Sequence, residues 1–547
     1  MRALRFDFWS VCLAAGWAVI ILLLIYPLQS IFSASFTDNV TGAFTVDNYL
    51  TVFSNRQYRA SIVNTFIGGF GGMIGALVLG VTLATITSRF QIRGRAAIST
   101  LAVMALVTPP FIGAYAWIIL FGANGVVRRA LVDIGIPFPP IYGAWGVILV
   151  FSLKLFPYVF LITSTALRNV NASLEDAAEN LGLSPRRRFF KVTLRLIGPA
   201  ITASALLTFI LSIADFGTPQ IIGRKFQMLS TEAYTLFSSE TGGNPGMASA
   251  ISMVLLAISL VFVALQRWFA RHDLSQGSKS RPRDPAPLTG SGSIAAHLTC
   301  YLITAAGILP TLMVVIFSFR KMSGPVFQPG FSLDSYRKVI SDVPLAITNS
   351  FVYAATATLA ILIAGTILGY IIVRRRGIFS TGFDAVLMVP YIVPGIVIGI
   401  AYAASFNTGL LTMTGTGLII IAATFVRRLP YAMRAMITAL QQVSPSIENA
   451  ATSLGYHPFK VLTKVTVPLI APGILAGAVM SFVTGMNELS AALVLYVGST
   501  VTMPVTIYIL IANGEYGTAA ALSTLLQAAT GALVYLAFRI GGGRQLM

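Results

Sequence analysis

Twelve stretches of mostly apolar residues recur along this 547-residue chain. Each is close to the roughly 20 residues that a helix needs to cross a hydrocarbon core about 30 Å thick. The first six lie near 10–33, 64–87, 98–121, 141–166, 197–221 and 246–266, and the second six near 296–318, 347–373, 382–405, 415–438, 470–496 and 518–540. The chain therefore reads as an all-α integral membrane protein. Charge supports this, because only 10% of residues are charged, against about 25% in soluble domains. A soluble multidomain enzyme, a disordered chain and a coiled coil are excluded. Two cysteines, Cys12 and Cys300, make neither a disulfide scaffold nor a thiolate metal cage, and they read as buried small residues. His272, His297 and His457 are scattered too far apart in sequence to suggest a metal site, and no cofactor is expected.

The 37 Lys and Arg outnumber the 18 Asp and Glu, giving a net charge of +19. In a soluble chain this would suggest a nucleic-acid partner. Here the basic residues sit in short runs between apolar stretches, as cytoplasmic loops do in membrane proteins, so the expected partner is the bilayer and not nucleic acid. With the N-terminus inside, the cytoplasmic side collects 26 of the 37, including Arg186-Arg187-Arg188 and Arg374-Arg375-Arg376. Both termini are placed in the cytoplasm. The first stretch follows Arg2 and Arg5 and is longer than the 7–15 residues typical of a signal-peptide core, so it reads as an uncleaved span. Between stretches six and seven, residues 273–293 are polar and rich in Pro, Gly and Ser, which is linker composition. The expected organisation is a first six-span half (1–270), a cytoplasmic linker (271–294) and a second six-span half (295–547).

The halves are copies. Leu174-Glu175-Asp176-Ala177-Ala178 and Leu181-Gly182 return as Ile447-Glu448-Asn449-Ala450-Ala451 and Leu454-Gly455, an offset of 273 residues (448 − 175). The register holds over some 45 residues with about twenty identities, among them Pro157/Pro430, Lys191/Lys464 and Pro199/Pro472. Upstream the offset drifts, and Asn64 answers Asn349 at 285. An even number of spans per half keeps both copies in the same orientation, related by an axis along the membrane normal with a pathway between them. This favours a transporter.

The matched loops lie inside, after spans four and ten. Ser173 with Asp176 has the spacing of a helix-capping box, echoed by Ser446 and Asn449. Ala177-Ala178 and Ala450-Ala451 offer a small-residue face. Gly182 and Gly455 stand where a left-handed cap would end a short helix, and Pro185 and Pro458 can open the next one. A plain turn needs only a few residues, whereas each of these loops runs to about thirty.

These segments resemble the cytoplasmic loop of permease subunits of binding-protein-dependent ABC importers, of the form Glu-Ala-Ala, three residues, Gly, nine residues, Ile-x-Leu-Pro. The first copy reads Asp176-Ala177-Ala178, Gly182, then Val192-Thr193-Leu194-Arg195; the second reads Asn449-Ala450-Ala451, Gly455, then Val465-Thr466-Val467-Pro468. Glu175 and Glu448 sit one place ahead of the usual glutamate, and Arg195 replaces the proline. The fused double layout is most similar to the ferric-iron importer permeases. The resemblance implies the type I importer fold, with twelve helices in two parallel six-helix repeats. It also implies a bacterial inner-membrane location, two copies of a cytoplasmic ATPase that receive the loops, and a periplasmic substrate-binding protein. No phosphate-binding Gly-x-x-x-x-Gly-Lys-[Ser/Thr] loop occurs in the chain, so no catalysis is expected on it.

Asp215 and Glu488 are repeat mates at the same offset of 273, late in the fifth span of each half. They read either as hydrated interfacial carboxylates or as negative groups facing a pathway, where they would favour a cation. Lys154 and Arg427, also mates, read as cations snorkelling to lipid phosphate. Pro109-Pro110 and Pro390…Pro394 break the third span of each half. Ferric iron is the expected substrate, with a polyamine, a phosphonate or thiamine as alternatives within the family. A gradient-driven secondary transporter is the rival class.

Overall fold

A computed structural model describes residues 8–39, 41–107, 109–239, 243–270, 283–323, 326–408 and 411–540. Arg2, Arg5, Arg271, His272, Lys279, Arg281 and Arg544, with the linker up to residue 282, lie outside the described residues.

Long helices dominate, and their ends follow local chemistry. The Arg56–Arg89 helix starts where the Asn55 side chain accepts a hydrogen bond from the Gln57 amide (2.8 Å). It packs along Ala144–Asn169 through a stripe of small residues, among them Gly72, Ala76 and Gly80, all buried. A Cβ at Gly72 would stand 2.6 Å from Phe151 Cβ, and one at Gly80 would stand 2.7 Å from the Phe156 carbonyl. Lipid gives apolar side chains no reason to leave it, so close backbone approach is what holds such helices together.

Among the described residues, nine helices are long and apolar enough to cross a membrane, or eleven if each of two bent pairs counts as one span. The twelve apolar stretches are therefore not twelve plain spans. The tenth, Gly417–Gln441, is a 25-residue helix carrying Arg427, Arg428 and Arg434. The ninth is broken, with Ile378–Ile392 meeting Gly395–Ser405 at 105° across Val393-Pro394. The third divides at Pro109 into Arg95–Val107 and Pro110–Phe121. Proline removes a backbone donor and clashes with the preceding turn, so both sites break where the sequence places Pro. The fifth is Pro185–Leu196 followed at 66° by Gly198–Ala214, and it stops at Asp215.

The chain divides into two compact units that do not coincide with the sequence halves. One comprises 1–46, 240–250 and 318–547; the other comprises 47–239 and 251–317. Each unit thus holds the first helix of the other half. In the first unit, Trp9 stacks on Tyr370 (4.6 Å between centroids), and the Tyr402 hydroxyl donates to the Leu23 carbonyl (2.5 Å). In the second, the helix Gly290–Ser318 buries Cys300 completely and sets Gly307 against Phe156. There His297 Nε2 accepts from the Arg93 amide (3.1 Å). Cys12 is only half-buried, unlike its counterpart.

Candidate functional site

The two matched loops fold into elbows of the same construction. The first short helix runs Ala172–Asn180 in one copy and Pro445–Ser453 in the other. The caps fall two residues earlier than the sequence spacing suggested. Asn171 Oδ1 accepts from the Ser173 amide (3.2 Å), and Ser444 Oγ accepts from the Ser446 amide (3.3 Å). Ser173 and Ser446 lie inside their helices, so no capping box with Asp176 or Asn449 forms. The C-terminal ends are as expected. Gly182 (φ +79°) and Gly455 (φ +83°) adopt the left-handed conformation. Around them the Leu183 amide reaches the Ala178 carbonyl (3.1 Å) and the Tyr456 amide reaches the Ala451 carbonyl (3.2 Å). These are paired Schellman caps.

The glutamates of the elbows point inward. Glu175 is 2% exposed and Glu448 6%. Glu175 accepts from Arg89 Nη2 (2.6 Å) and from Thr193 Oγ1 (2.5 Å). Glu448 accepts from Arg374 Nε and Nη2 (3.1 Å each to the nearer oxygen), Thr466 Oγ1 (3.2 Å) and Tyr370 (3.3 Å). The two nodes are built from repeat mates: Arg89 and Arg374 at 285, Glu175 and Glu448 at 273, Thr193 and Thr466 at 273. Both threonines close a five-residue π-helical turn, Phe189–Thr193 and Leu462–Thr466. Each node ties three elements: the end of the second span of its half, the short helix, and the start of the fifth span. A charged hydrogen-bonded pair in a dry setting tolerates little displacement, because removing either partner strands the other.

The outward faces also match. Leu174 and Ile447 are 49% and 44% exposed, and Leu181 and Leu454 are 82% and 80% exposed. Asp176, Ala177, Asn449 and Ala450 are exposed, whereas Ala178 and Ala451 are buried. Each alanine pair therefore has one residue packed against its own chain and one facing out.

Asp215 and Glu488 are neither hydrated nor bare. Asp215 (8% exposed) pairs with Lys154, and Glu488 (5% exposed) with both Arg427 and Arg428. Each also caps the segment after its helix: Asp215 Oδ1 accepts from the Thr218 amide (2.8 Å), and Glu488 Oε1 from the Ala491 amide (3.1 Å). Lys154 and Arg427 accordingly do not reach for lipid phosphate. Each half thus holds a buried acid paired with cations, one in the first half and two in the second. A signal was present in the sequence: cation and acid are 61 residues apart in both halves (215 − 154 and 488 − 427).

The profile of the family described as binding-protein-dependent transport system inner membrane component matches residues 76–272 and again 361–540. The chain is 27% identical over 529 residues to the ferric transport system permease protein FbpB of Actinobacillus pleuropneumoniae, covering 93% of this chain and 74% of that protein. It is 25% identical over 568 residues to the probable ABC transporter permease protein y4fN of Sinorhizobium fredii, covering 99% and 98%. Among solved structures, a chain of a bacterial alginate ABC transporter, crystallised with its alginate pentasaccharide-bound periplasmic protein, is similar at a TM-score of 0.41 and 19% identity. That match covers 49% of this chain and 96% of that one.

Proposed function

The chain belongs to the binding-protein-dependent transport system inner membrane component family, each half matching it in turn, and from that premise we propose that it is the permease of an ATP-driven importer of ferric iron. It is a multi-pass inner-membrane protein. In this reading the two bent pairs and the arginine-bearing Gly417–Gln441 helix also cross, which makes twelve spans with both termini cytoplasmic; the nine long apolar helices support it. The two elbows couple to two copies of a cytoplasmic ATPase, which hydrolyses ATP on a separate chain, and a periplasmic binding protein delivers the substrate.

The observation that carries this reading is the doubled Arg–Glu–Thr node beneath an exposed apolar edge. A leucine four-fifths exposed beside a second half-exposed aliphatic residue, at the same place in both copies, fits a partner that covers them. Residues moved by that partner are wired to the spans. Iron as the substrate rests on the relatives named for ferric transport, because Asp215 and Glu488 are each paired with cations.

The test is uptake of labelled ferric iron into proteoliposomes holding this chain and its ATPase, with the binding protein supplied on the outer face. Iron should accumulate with ATP and ignore a proton ionophore. Uptake that follows the proton gradient without ATP would overturn the importer reading. A binding protein that ignores iron and takes an amine or a phosphonate would overturn the substrate alone. A second expected result concerns docking. Leu181→Asp with Leu454→Asp should cut co-purification of the ATPase at least tenfold and leave thermal unfolding unchanged, since both side chains already face water. Undiminished co-purification would remove the elbows from the interface.

A further inference from the structure

Among the described residues, the first elbow receives a linker cation and the second receives none. Arg283, from the segment joining the halves, lies 3.0 Å from Glu179, 3.3 Å from Asp176 and 3.9 Å from Glu175. The segment that carries it is pinned. The Ala286 amide donates to the Arg89 carbonyl (2.9 Å), the Gln91 amide donates to the Ala286 carbonyl (3.0 Å), and Gln91 Nε2 donates to the Pro285 carbonyl (3.2 Å). Arg89, on that same ladder, grips Glu175 from the other side.

The acids of the two short helices differ in the same sense. The first short helix carries Glu175, Asp176 and Glu179, and Arg89, Arg188 and Arg283 answer them. In the second helix the mates of Asp176 and Glu179 are the neutral Asn449 and Thr452. Its single acid, Glu448, is met by Arg374, which also donates to the carbonyls of Leu440 (3.3 Å) and Val443 (2.8 Å). Bonds from Arg283 and Arg188 hold the Glu179 carboxyl below the usual glutamate range. Three carboxylates within five residues of one short helix repel each other, and cations placed among them remove that repulsion.

We propose that residues 283–286, which lead into the second half, are a working part of the first elbow, with Arg283 as the positioning residue that sets the short helix Ala172–Asn180 for its ATPase. This rests on the elbows being the ATPase contacts. It makes the join between the halves more than a tether: its sequence matters at Arg283 and at the pinned residues after it.

The experiment uses the full chain with its ATPase and binding protein in proteoliposomes. Cys12 and Cys300 are replaced by alanine, and a single cysteine is placed at Leu181 or at Leu454. A short bifunctional thiol reagent then links it to a cysteine on the ATPase surface. Arg283→Glu should lower the cross-link at Leu181→Cys at least threefold, keep that at Leu454→Cys within its normal yield, and lower iron uptake at least threefold. Arg283→Glu combined with Glu179→Arg should recover most of both losses, and a merely structural role for Arg283 would not predict such a charge swap. Unchanged yield and uptake in Arg283→Glu overturn the proposal. So do equal losses at both positions, because those mean general damage. If the chain with native Arg283 links at neither position, the coupling reading itself fails, and the proposal fails with it.

Discussion

Arg374→Ala will destabilise the protein by about 3–5 kcal/mol, the usual result of stranding one member of a buried ion pair. The argument starts from burial. The Arg374 and Glu448 side chains are 13% and 8% exposed, so water cannot replace the lost guanidinium. Tyr370 and Thr466 remain as donors to the carboxylate, but two neutral hydrogen bonds do not offset a full charge. Glu448→Gln should cost less, since an amide keeps the shape and part of the bonding. The informative variant is Arg374→Met with Glu448→Met. Replacing both partners by apolar groups of similar size is often neutral or stabilising, so thermal unfolding in detergent should return to near the native temperature. Iron uptake should not return, because the link from short helix to spans has gone. Full uptake in that double variant would show that the node serves the fold alone. Arg89→Met with Glu175→Met should behave alike in the first half, where Asp176, Glu179 and Arg283 remain.

The second large effect is expected at the paired acids, and it should be unequal. Glu488→Gln leaves Arg427 and Arg428, which share its carboxylate, as adjacent unneutralised cations in a buried site. Asp215→Asn strands only Lys154, whose side chain is 22% exposed and flexible. Glu488→Gln should therefore cost about 3–5 kcal/mol or more, and Asp215→Asn clearly less. Both acids also cap a following segment, and the amide can still accept that bond, so the difference isolates the charge. Chemical or thermal unfolding of the two purified variants measures it. No effect in either variant would mean that the pairs are unimportant to the fold, and equal losses would mean that the second arginine adds nothing to the cost. Loss of iron uptake should follow loss of stability across the series. A variant as stable as the native protein but slow only for cations would restore the pathway reading.

Much of the molecule was legible from the chain alone. The apolar stretches, their order and their breaks at Pro109 and Pro394 follow from local composition and backbone chemistry. The repeat is a covalent pattern, so its register could be counted directly. The left-handed glycines of the elbows were legible for the same reason, because a cap involves only neighbours in sequence. The cap at the other end was misplaced by two residues, since Asn171 and Ser173 are both good caps and tertiary packing chose between them.

What the sequence determined was membrane insertion, the doubled architecture and the existence of two matched elbows, each the sum of interactions among residues near one another along the chain. Tertiary structure alone decided which charges meet and which faces stay exposed. Arg89 and Glu175 are 86 residues apart and Arg374 and Glu448 74 apart, and an acid at a helix end is equally content on paper with water, lipid-side solvent or a distant cation. Only folding makes one of these available by bringing the cation close and removing the water, after which the unpaired alternative becomes costly. The exchange of first helices between units was likewise hidden, because one apolar helix offers the same greasy surface to either neighbour until small residues and aromatic rings fit it to one.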